Sequence, residues 1–393
     1  MNKAKESVYD VIIVGAGITG LTLALRCAQL GMQIKLIDKK SLPRPMKAQE
    51  MSAWVSALNN QSIKHLMRLG IWQLHEDKLW AAPYHAMTIN SEQGKSHLHF
   101  HAQDIQAENL GHIVCNLHLR SLLAEAVTQC ENIEVVEQEL RSITPEKGYL
   151  TTKTGQVSQG RWIVGADGAD SWVRKQVGIT VKTQKLYSQE ALVGLVSTKK
   201  PHFGEALQCF SRYGVVALLP HFDLDKRILV WSKNQSHHEL SPYEMIDRVF
   251  MDVNVIEETN TSWKTHRIRS QQVDKYHQGR VVLVGDSALT VHPLAGQGLN
   301  LGLQGVSSLG DILETAFYNH QDCYQEKYAR AYERKIRGFN SLTKTFIESC
   351  DYVWHSDAQI NQNIGYYGLK LLQNIPWLKK QCIQHALYGL AEE

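Results

Sequence analysis

The stretch Tyr9 to Asp38, YDVIIVGAGITGLTLALRCAQLGMQIKLID, decides the fold. Tyr9 to Val14 is a β-branched apolar run without polar alternation, the pattern of a strand buried on both faces. Gly15, Gly17 and Gly20 follow at once, with Ile18 and Thr19 inside the turn. An apolar-periodic helix then runs from Leu21 and stops at Gly31, and the segment up to Asp38 reads as a second strand. Strand, glycine turn, helix and strand make a β-α-β unit that holds a dinucleotide. Gly15 permits the tight turn, Gly17 lets the backbone approach a pyrophosphate, and Gly20 lets the helix pack on the sheet. The N–H groups of the helix start face the phosphates. Asp38, about 20 residues on, suits the ribose hydroxyls.

A second glycine-rich site lies far along the chain. Gly279 to Asp311 reads GRVVLVGDSALTVHPLAGQGLNLGLQGVSSLGD. Val281 to Val284 predicts a buried strand, and Gly285-Asp286 ends it with a carboxylate. Pro293 leads into Gly296, Gln297 and Gly298, which open a helix continuing through Leu299 and Asn300. An acid at a strand end beside free helix N–H groups suits a sugar alcohol and an electron-poor ring. The fingerprint at Tyr9 to Asp38 does not by itself separate NAD from FAD. One extended ligand touching both sites fits a whole FAD, with adenosine at Asp38 and the flavin near Pro293. A third stretch, Arg161 to Val173, reads RWIVGADGADSWV. There a strand runs into Asp167 between two glycines, and Asp170-Ser171 is read as the cap of a helix carrying Arg174.

Composition narrows the remaining classes. At 393 residues, 43% hydrophobic and 21% charged, the chain has globular composition and length for two or three domains. A net charge of +3, without a basic cluster interleaved with aromatics, argues against nucleic acid. The seven cysteines are dispersed without a C-x-x-C pair, which reads as reduced intracellular thiols. No secretory signal or run of 18 apolar residues is seen. The expected location is cytoplasmic, with attachment to a membrane surface left open.

Elsewhere the signals are plainer. Ser52 to Trp72 carries Leu58, Ile63, Leu66, Met67 and Leu69 at helical spacing, ahead of Gly70. Tyr84 to Phe100 is strand-like. His97, His99 and His101 alternate on one strand face, a geometry open to a metal. With no carboxylate or cysteine evident nearby, a polar strand face is the preferred reading and no metal is expected. Ile113 to Val127 reads as a strand end and a helix that places Arg120 within reach of a phosphate or a flavin edge, or in solvent. Ile133 to Val136 and Tyr149 to Lys153 suggest a small meander. Short alternating segments from Val181 to Gln278 suggest a β-sheet substrate domain, in which Phe210 and Trp231 line a pocket or pack a core. The helical C-terminal region includes Gly365 to Leu390, rich in large apolar groups and split by Pro376. A terminal hairpin packed on the domain is the preferred reading there, and an amphipathic surface facing a membrane or partner is the alternative.

Three motifs in this order, GAGITG with Asp38, GADGADSWVR and VGDSALTVHPLAGQGLNLGL, resemble those of class A flavoprotein aromatic hydroxylases, the para-hydroxybenzoate hydroxylase-like group. The wording HPLAGQGLNLGL and the length are similar to the ubiquinone-biosynthesis ring hydroxylases within it. The resemblance implies an α/β fold: a Rossmann-like FAD-binding domain, an inserted α+β substrate domain with a β-sheet, and a C-terminal helical region. It divides the chain into FAD-binding segments 1–75, 105–180 and 279–340, substrate-domain segments 76–104 and 181–278, and helices over 341–393. It implies FAD as cofactor, held by Gly15, Gly17, Ile18, Thr19, Gly20, Asp38, Arg120, Asp167, Gly285, Asp286, Pro293, Gly296, Gly298, Leu299 and Asn300. Pro293, Gly296, Gln297 and Gly298 would position the flavin for catalysis.

NAD(P)H would be the reductant, and O2 would reach an aromatic, polyprenylated ring through a peroxyflavin. Peripheral contact with the inner membrane, subunits of a quinone-synthesis complex and a homo-oligomer are compatible with this. The alternatives are an FAD monooxygenase of a soluble aromatic and a weakly active flavoprotein scaffold. Two departures motivate the latter. Trp54 stands where the family usually has an arginine, and Leu289 where it usually has a histidine.

Overall fold

The first unit of the chain is β1 (Val8–Val14), α1 (Ile18–Gln29) and β2 (Ile34–Asp38). It continues through β3 (Val55–Leu58), α2 (Asn60–Arg68), β4 (Ala81–Tyr84), β5 (Ala86–Ser91), β6 (His97–His101), β7 (Gly111–Cys115) and α3 (Asn116–Thr128). Next come β8 (Ile133–Glu137), β9 (Leu140–Thr144), β10 (Tyr149–Thr152), β11 (Val157–Gly165) and α4 (Trp172–Gln176). The middle holds β12 (Val181–Thr198), β13 (Glu205–Ser211), β14 (Gly214–Pro220), β15 (Lys226–Asn234), α5 (Pro242–Val249), β16 (Val255–Ile256) and β17 (Lys264–Val273). The last part is β18 (His277–Gln278), β19 (Val281–Leu283), β20 (Leu289–Thr290), α6 (Gly298–Tyr318) and α7 (Glu326–His355). This computed structural model describes residues 8–46, 52–72, 80–92, 97–234, 240–258, 261–293, 296–319, 324–355 and 375.

Register explains why three distant motifs become one site. β1 pairs in parallel with β2 on one side and β11 on the other, and β11 pairs in parallel with β19. Val14 lies opposite Ile37 and Gly165, and Gly165 lies opposite Leu283. The strands therefore end side by side, and Gly15, Ala166 and Val284 leave one sheet edge together. Ligands of α/β folds bind at that carboxyl edge. The sheet reads β18-β19-β11-β1-β2-β8, with β9 and β10 attached beside β11. Its central strands β1, β2, β11 and β19 are buried where they approach the carboxyl edge, with α1 packed against α3 and α6, which is why they lack polar alternation there.

A second, nine-stranded sheet has the order β20-β17-β12-β15-β14-β13-β5-β6, with β16 paired to β12. One face packs on α5, where Met245, Ile246 and Phe250 meet Leu229 and fully buried Trp231. Trp231 is thus a core residue, whereas Phe210 reaches a cavity on the other face. A small sheet, β3-β7-β4, joins the two larger ones.

Several expectations change. Ser52 to Trp72 is not helical throughout: β3 comes first, and Asn59 then caps α2 by accepting from Ser62 N at 2.9 Å. Pairing with β7 overrides the helical spacing of Leu58, and Met67 is exposed. The Ile133 segment does not belong to a meander. As β8 it extends the parallel sheet beside β2, while β9 and β10 pair antiparallel. Helix α7 runs without a break past residue 340. The apolar segment Gly365 to Leu390 lies, Ile375 apart, outside the described residues.

Candidate active site

One cavity of about 1580 Å³ runs along the carboxyl edge of the parallel sheet and on to the nine-stranded sheet. Its nucleotide end is built by the first glycine turn. Gly15 has φ +109°, and a Cβ there would stand 2.4 Å from the Ala166 carbonyl oxygen. A Cβ on Gly20 would stand 1.9 Å from the Gly15 oxygen, so strand, turn and helix touch. Gly17 is different, because a Cβ there would meet nothing within 4 Å. It borders the cavity and caps α1 without any side-chain hydrogen bond. The first N–H groups of α1, at Ile18 and Thr19, are thereby left to a ligand.

Asp38 and Arg120 both line this end, and both also hold the turn. Asp38 accepts from Ala16 N at 2.7 Å and Lys40 N at 2.9 Å, and Arg120 Nε donates to the Ala16 oxygen at 2.8 Å. Their clamp on one residue, Ala16, is invisible to motif reading, because it joins three segments. Asp167 is more fully engaged. It accepts from Ser171 Oγ at 2.5 Å, Trp172 N at 2.7 Å and Val173 N at 3.0 Å. Its carboxylate thus fastens the start of α4, and Ser171 caps that helix through Arg174 N. Asp170, read with Ser171 as the cap, instead makes a two-pronged pair with Arg269 at 2.6 and 2.8 Å.

Most flavin-side expectations fall in the same cavity; Gly285 and Asn300 do not line it. Gly285 has φ +60°, and a Cβ there would stand 3.0 Å from the Thr19 side chain. A Cβ on Gly302 of α6 would stand 3.0 Å from Thr19 Oγ1, so Thr19 sits between the two glycine sites. Asp286 lines the cavity, where its side chain is open to solvent but walled in by protein around it. Desolvation there pushes its pKa up to about 6, with Arg269 opposing the shift. Pro293, Gly296, Gln297, Gly298 and Leu299 border the cavity, and residues 294–295 between them lie outside the described residues. Helix α6 starts at Gly298, again without a side-chain cap, and a Cβ on Gly298 would meet only open space. Asn300 is buried and serves the protein: Nδ2 donates to the Ala57 oxygen at 2.8 Å, and Oδ1 accepts from Asn59 N and Ser62 Oγ. A cofactor contact at Asn300 therefore falls to its backbone N–H.

Sequence reading assigns no role to Ser287, Arg174 or Asn116. Ser287 Oγ donates to the Gly165 oxygen at 2.6 Å, and Arg174 donates to the oxygens of Ser287 and Ala169, joining the second and third motifs. Asn116, lining the cavity at the start of α3, has a buried Oδ1 without a hydrogen-bond partner. Trp54, in the place of the family arginine, is half exposed and lines the cavity. Leu289 is buried with Val291, Leu301 and Ile347, so apolar packing on α7 replaces whatever a histidine would bond there.

The far end of the cavity is apolar, with Met87, Ile89, Phe100, Phe210, Leu219 and Val353 in its wall. Among the described residues no group of three His, Cys, Asp or Glu is placed to hold a metal. His99 bonds Thr88 Oγ1 at 2.8 Å and lies 4.0 Å from Glu205, a carboxylate that sequence distance concealed.

Two uncapped helix starts, an acid at each of two strand ends and an orphaned amide oxygen, all on one elongated cavity, fit FAD. A profile described as FAD binding domain matches residues 8–332. The chain belongs to this FAD-binding family, that of the class A flavin hydroxylases. This flavoprotein is 27% identical over 402 residues to the ubiquinone hydroxylase UbiL of Rhodospirillum rubrum, covering 97% of this chain and 90% of the relative. It is 25% identical over 390 residues to the 3-demethoxyubiquinol 3-hydroxylase of Escherichia coli, covering 96% and 98%. In fold it is similar to the p-nitrophenol 4-monooxygenase PnpA of Pseudomonas putida. The TM-score is 0.80 at 16% identity, covering 98% of this chain and all of that one. The flavoprotein is an FAD-dependent hydroxylase. Among its described residues no helix is long and apolar enough to cross a membrane.

Proposed function

We propose that the protein hydroxylates the ring of a polyprenylated phenol or benzoquinol in ubiquinone biosynthesis, with FAD as cofactor and NAD(P)H and O2 as co-substrates. The observation that carries this reading is the continuity of one cavity from the α1 and α6 helix starts into an apolar chamber. The likeness to the two ubiquinone-pathway hydroxylases along nearly the whole chain supports it.

Bound FAD, reduced by NAD(P)H, supplies the activated oxygen that a side chain cannot. The protein's share is binding and shielding. The N–H groups at Gly17 to Thr19 hold the pyrophosphate, and Asp38 and Arg120 keep that turn in shape. Asp286 accepts from a ribityl hydroxyl. Backbone N–H groups of Gly296 to Gly298, at the positive end of α6, would stabilise negative charge developing on the flavin ring. The apolar chamber excludes water around the reacting ring. A prenyl tail leaving that chamber gives a reason for peripheral contact with the inner membrane and with other quinone-synthesis enzymes.

The test is NADH or NADPH oxidation and oxygen uptake by the FAD-loaded protein with a prenylated phenol, with product identified by mass. A hydroxylated prenylphenol is expected. Hydroxylation of soluble phenols alone would sink the prenyl reading, and a purified protein that takes up no FAD would sink the whole of it. Vesicle flotation tests the membrane contact, which fails if the protein stays entirely with the soluble fraction.

A further inference from the structure

The chamber wall is made by alternate residues of five strands. On β13, Ala206, Gln208 and Phe210 border the cavity, while Cys209 packs with Leu229 and Trp231 on the opposite face. Register sets Gln208 beside Ile89 of β5 and Ala217 of β14. The other residues that β5, β6, β14 and β15 give to this wall are apolar, Leu98 and Val230 among them. Gln208 is therefore the single polar side chain that these five strands present to the cavity among the described residues. It is 5% exposed, and no hydrogen bond of its side chain is found among the described residues. Ala206, two residues back on β13, and Ala217, beside it on β14, are small, and no amide atom of Gln208 is among the fully buried unpartnered ones. Ser349 of α7, also on the cavity wall, is already engaged, donating to the Thr345 oxygen at 2.8 Å.

An amide that opens onto an otherwise apolar wall without a protein partner can bond a ligand, and such groups in binding clefts fix a ligand's orientation. The geometry points to Gln208 as the residue that orients the substrate, by a hydrogen bond between its amide and a neutral oxygen substituent on the ring. This rests on the hydroxylase reading above and adds which part of the substrate is held. An amide can donate to a ring oxygen and accept from a ring hydroxyl. No Lys, Arg or His of these five strands lines the cavity among the described residues, so a ring carrying a free carboxylate has no counter-charge here. The fitting substrate is uncharged, with one oxygenated edge and an otherwise apolar outline.

The experiment titrates the FAD-loaded full chain with matched ligand pairs, following the perturbation of flavin absorbance. One pair is a prenylphenol and the same molecule without its hydroxyl; the other is a short alkylphenol and its alkylbenzene. Wild type is expected to bind the hydroxylated member roughly three- to tenfold more tightly, the range of one neutral hydrogen bond. Gln208→Leu and Gln208→Met should bring that ratio to about one, with FAD content unchanged and the deoxy ligand bound at least as well. Equal or absent binding of both members by wild type, or a ratio kept in both variants, overturns the assignment. Failure of the hydroxylase reading would appear separately, as no hydroxylated product from the prenylphenol while the short pair still reports on Gln208.

Discussion

Asp286 is a carboxylate in surroundings that favour its acid form, with a pKa pushed up to about 6 by desolvation at the cavity wall. A ribityl hydroxyl donating to it would favour the ionised form instead. FAD should therefore bind the ionised protein better, and affinity should rise with pH up to about 6 and then level. At pH 5 roughly one molecule in eleven is ionised, so the apparent Kd should be about tenfold weaker than at pH 7. Asp286→Asn should flatten that dependence. Fluorescence titration of apoprotein with FAD across pH 5 to 8 checks it, and a slope that survives in the variant assigns the proton elsewhere. Trp54 makes a second test. An indole bordering the cavity can stack on a flavin or its substituents, and such stacking contributes about 1–3 kcal/mol. Trp54→Ala should weaken FAD binding by about tenfold or more and brighten flavin emission; an unchanged Kd would mean that the indole only borders the site.

At the scale of elements, α7 is anchored to the flavin-side segment by Leu289, Val291, Leu301 and Ile347. Restoring the family residue with Leu289→His would bury an imidazole among alkyl groups. A cost of about 1–3 kcal/mol is expected, read as a lower denaturation midpoint. No loss would mean that a buried partner exists for the ring. Elements of this kind differ in how plainly the sequence announces them. β1, α1 and β2 were legible because strand, glycine turn and helix are contiguous and each glycine answers a local steric demand. The segment at Ser52 was not, since whether Leu58 belongs to a helix or a strand is decided by β7, over fifty residues away. Gln208 shows the same limit from the other side. Alternation along β13 tells which residues share a face, but only the pairing of β13 with β5 and the position of α5 tell which face looks into the cavity. Asp167 lines the cavity as its motif suggests, but the three hydrogen bonds of its carboxylate to the start of α4 are not legible in the motif.

For the molecule as a whole, acid sensitivity is built into two loops that connect strands of the nine-stranded sheet. His221 is buried, and desolvation lowers its pKa from the usual value of 6.5 to about 4; His202, whose ring nitrogen bonds the His221 oxygen at 2.7 Å, is shifted the same way. The unfolded chain binds these protons first, so stability rises with pH through this window and is lost as pH falls from about 6.5 toward 4. At about 1.4 kcal/mol per unit, His221 alone accounts for about 3 kcal/mol. Denaturant unfolding at pH 4.5 and 7 should show a gap that narrows in His221→Asn. An equal gap in wild type and variant would place the acid sensitivity elsewhere.

The pairing of β13 with β5 also orders events during synthesis. The β5–β6 hairpin leaves the ribosome with residues 86–101, but its neighbour on the inner side begins at Glu205. For about a hundred residues of translation that hairpin has an unpaired edge, the kind of edge that pairs with other chains when left open. Nascent chains stalled before β13 should therefore need chaperone cover that chains released after β15 do not, a difference that chaperone crosslinking to staged ribosome complexes would register.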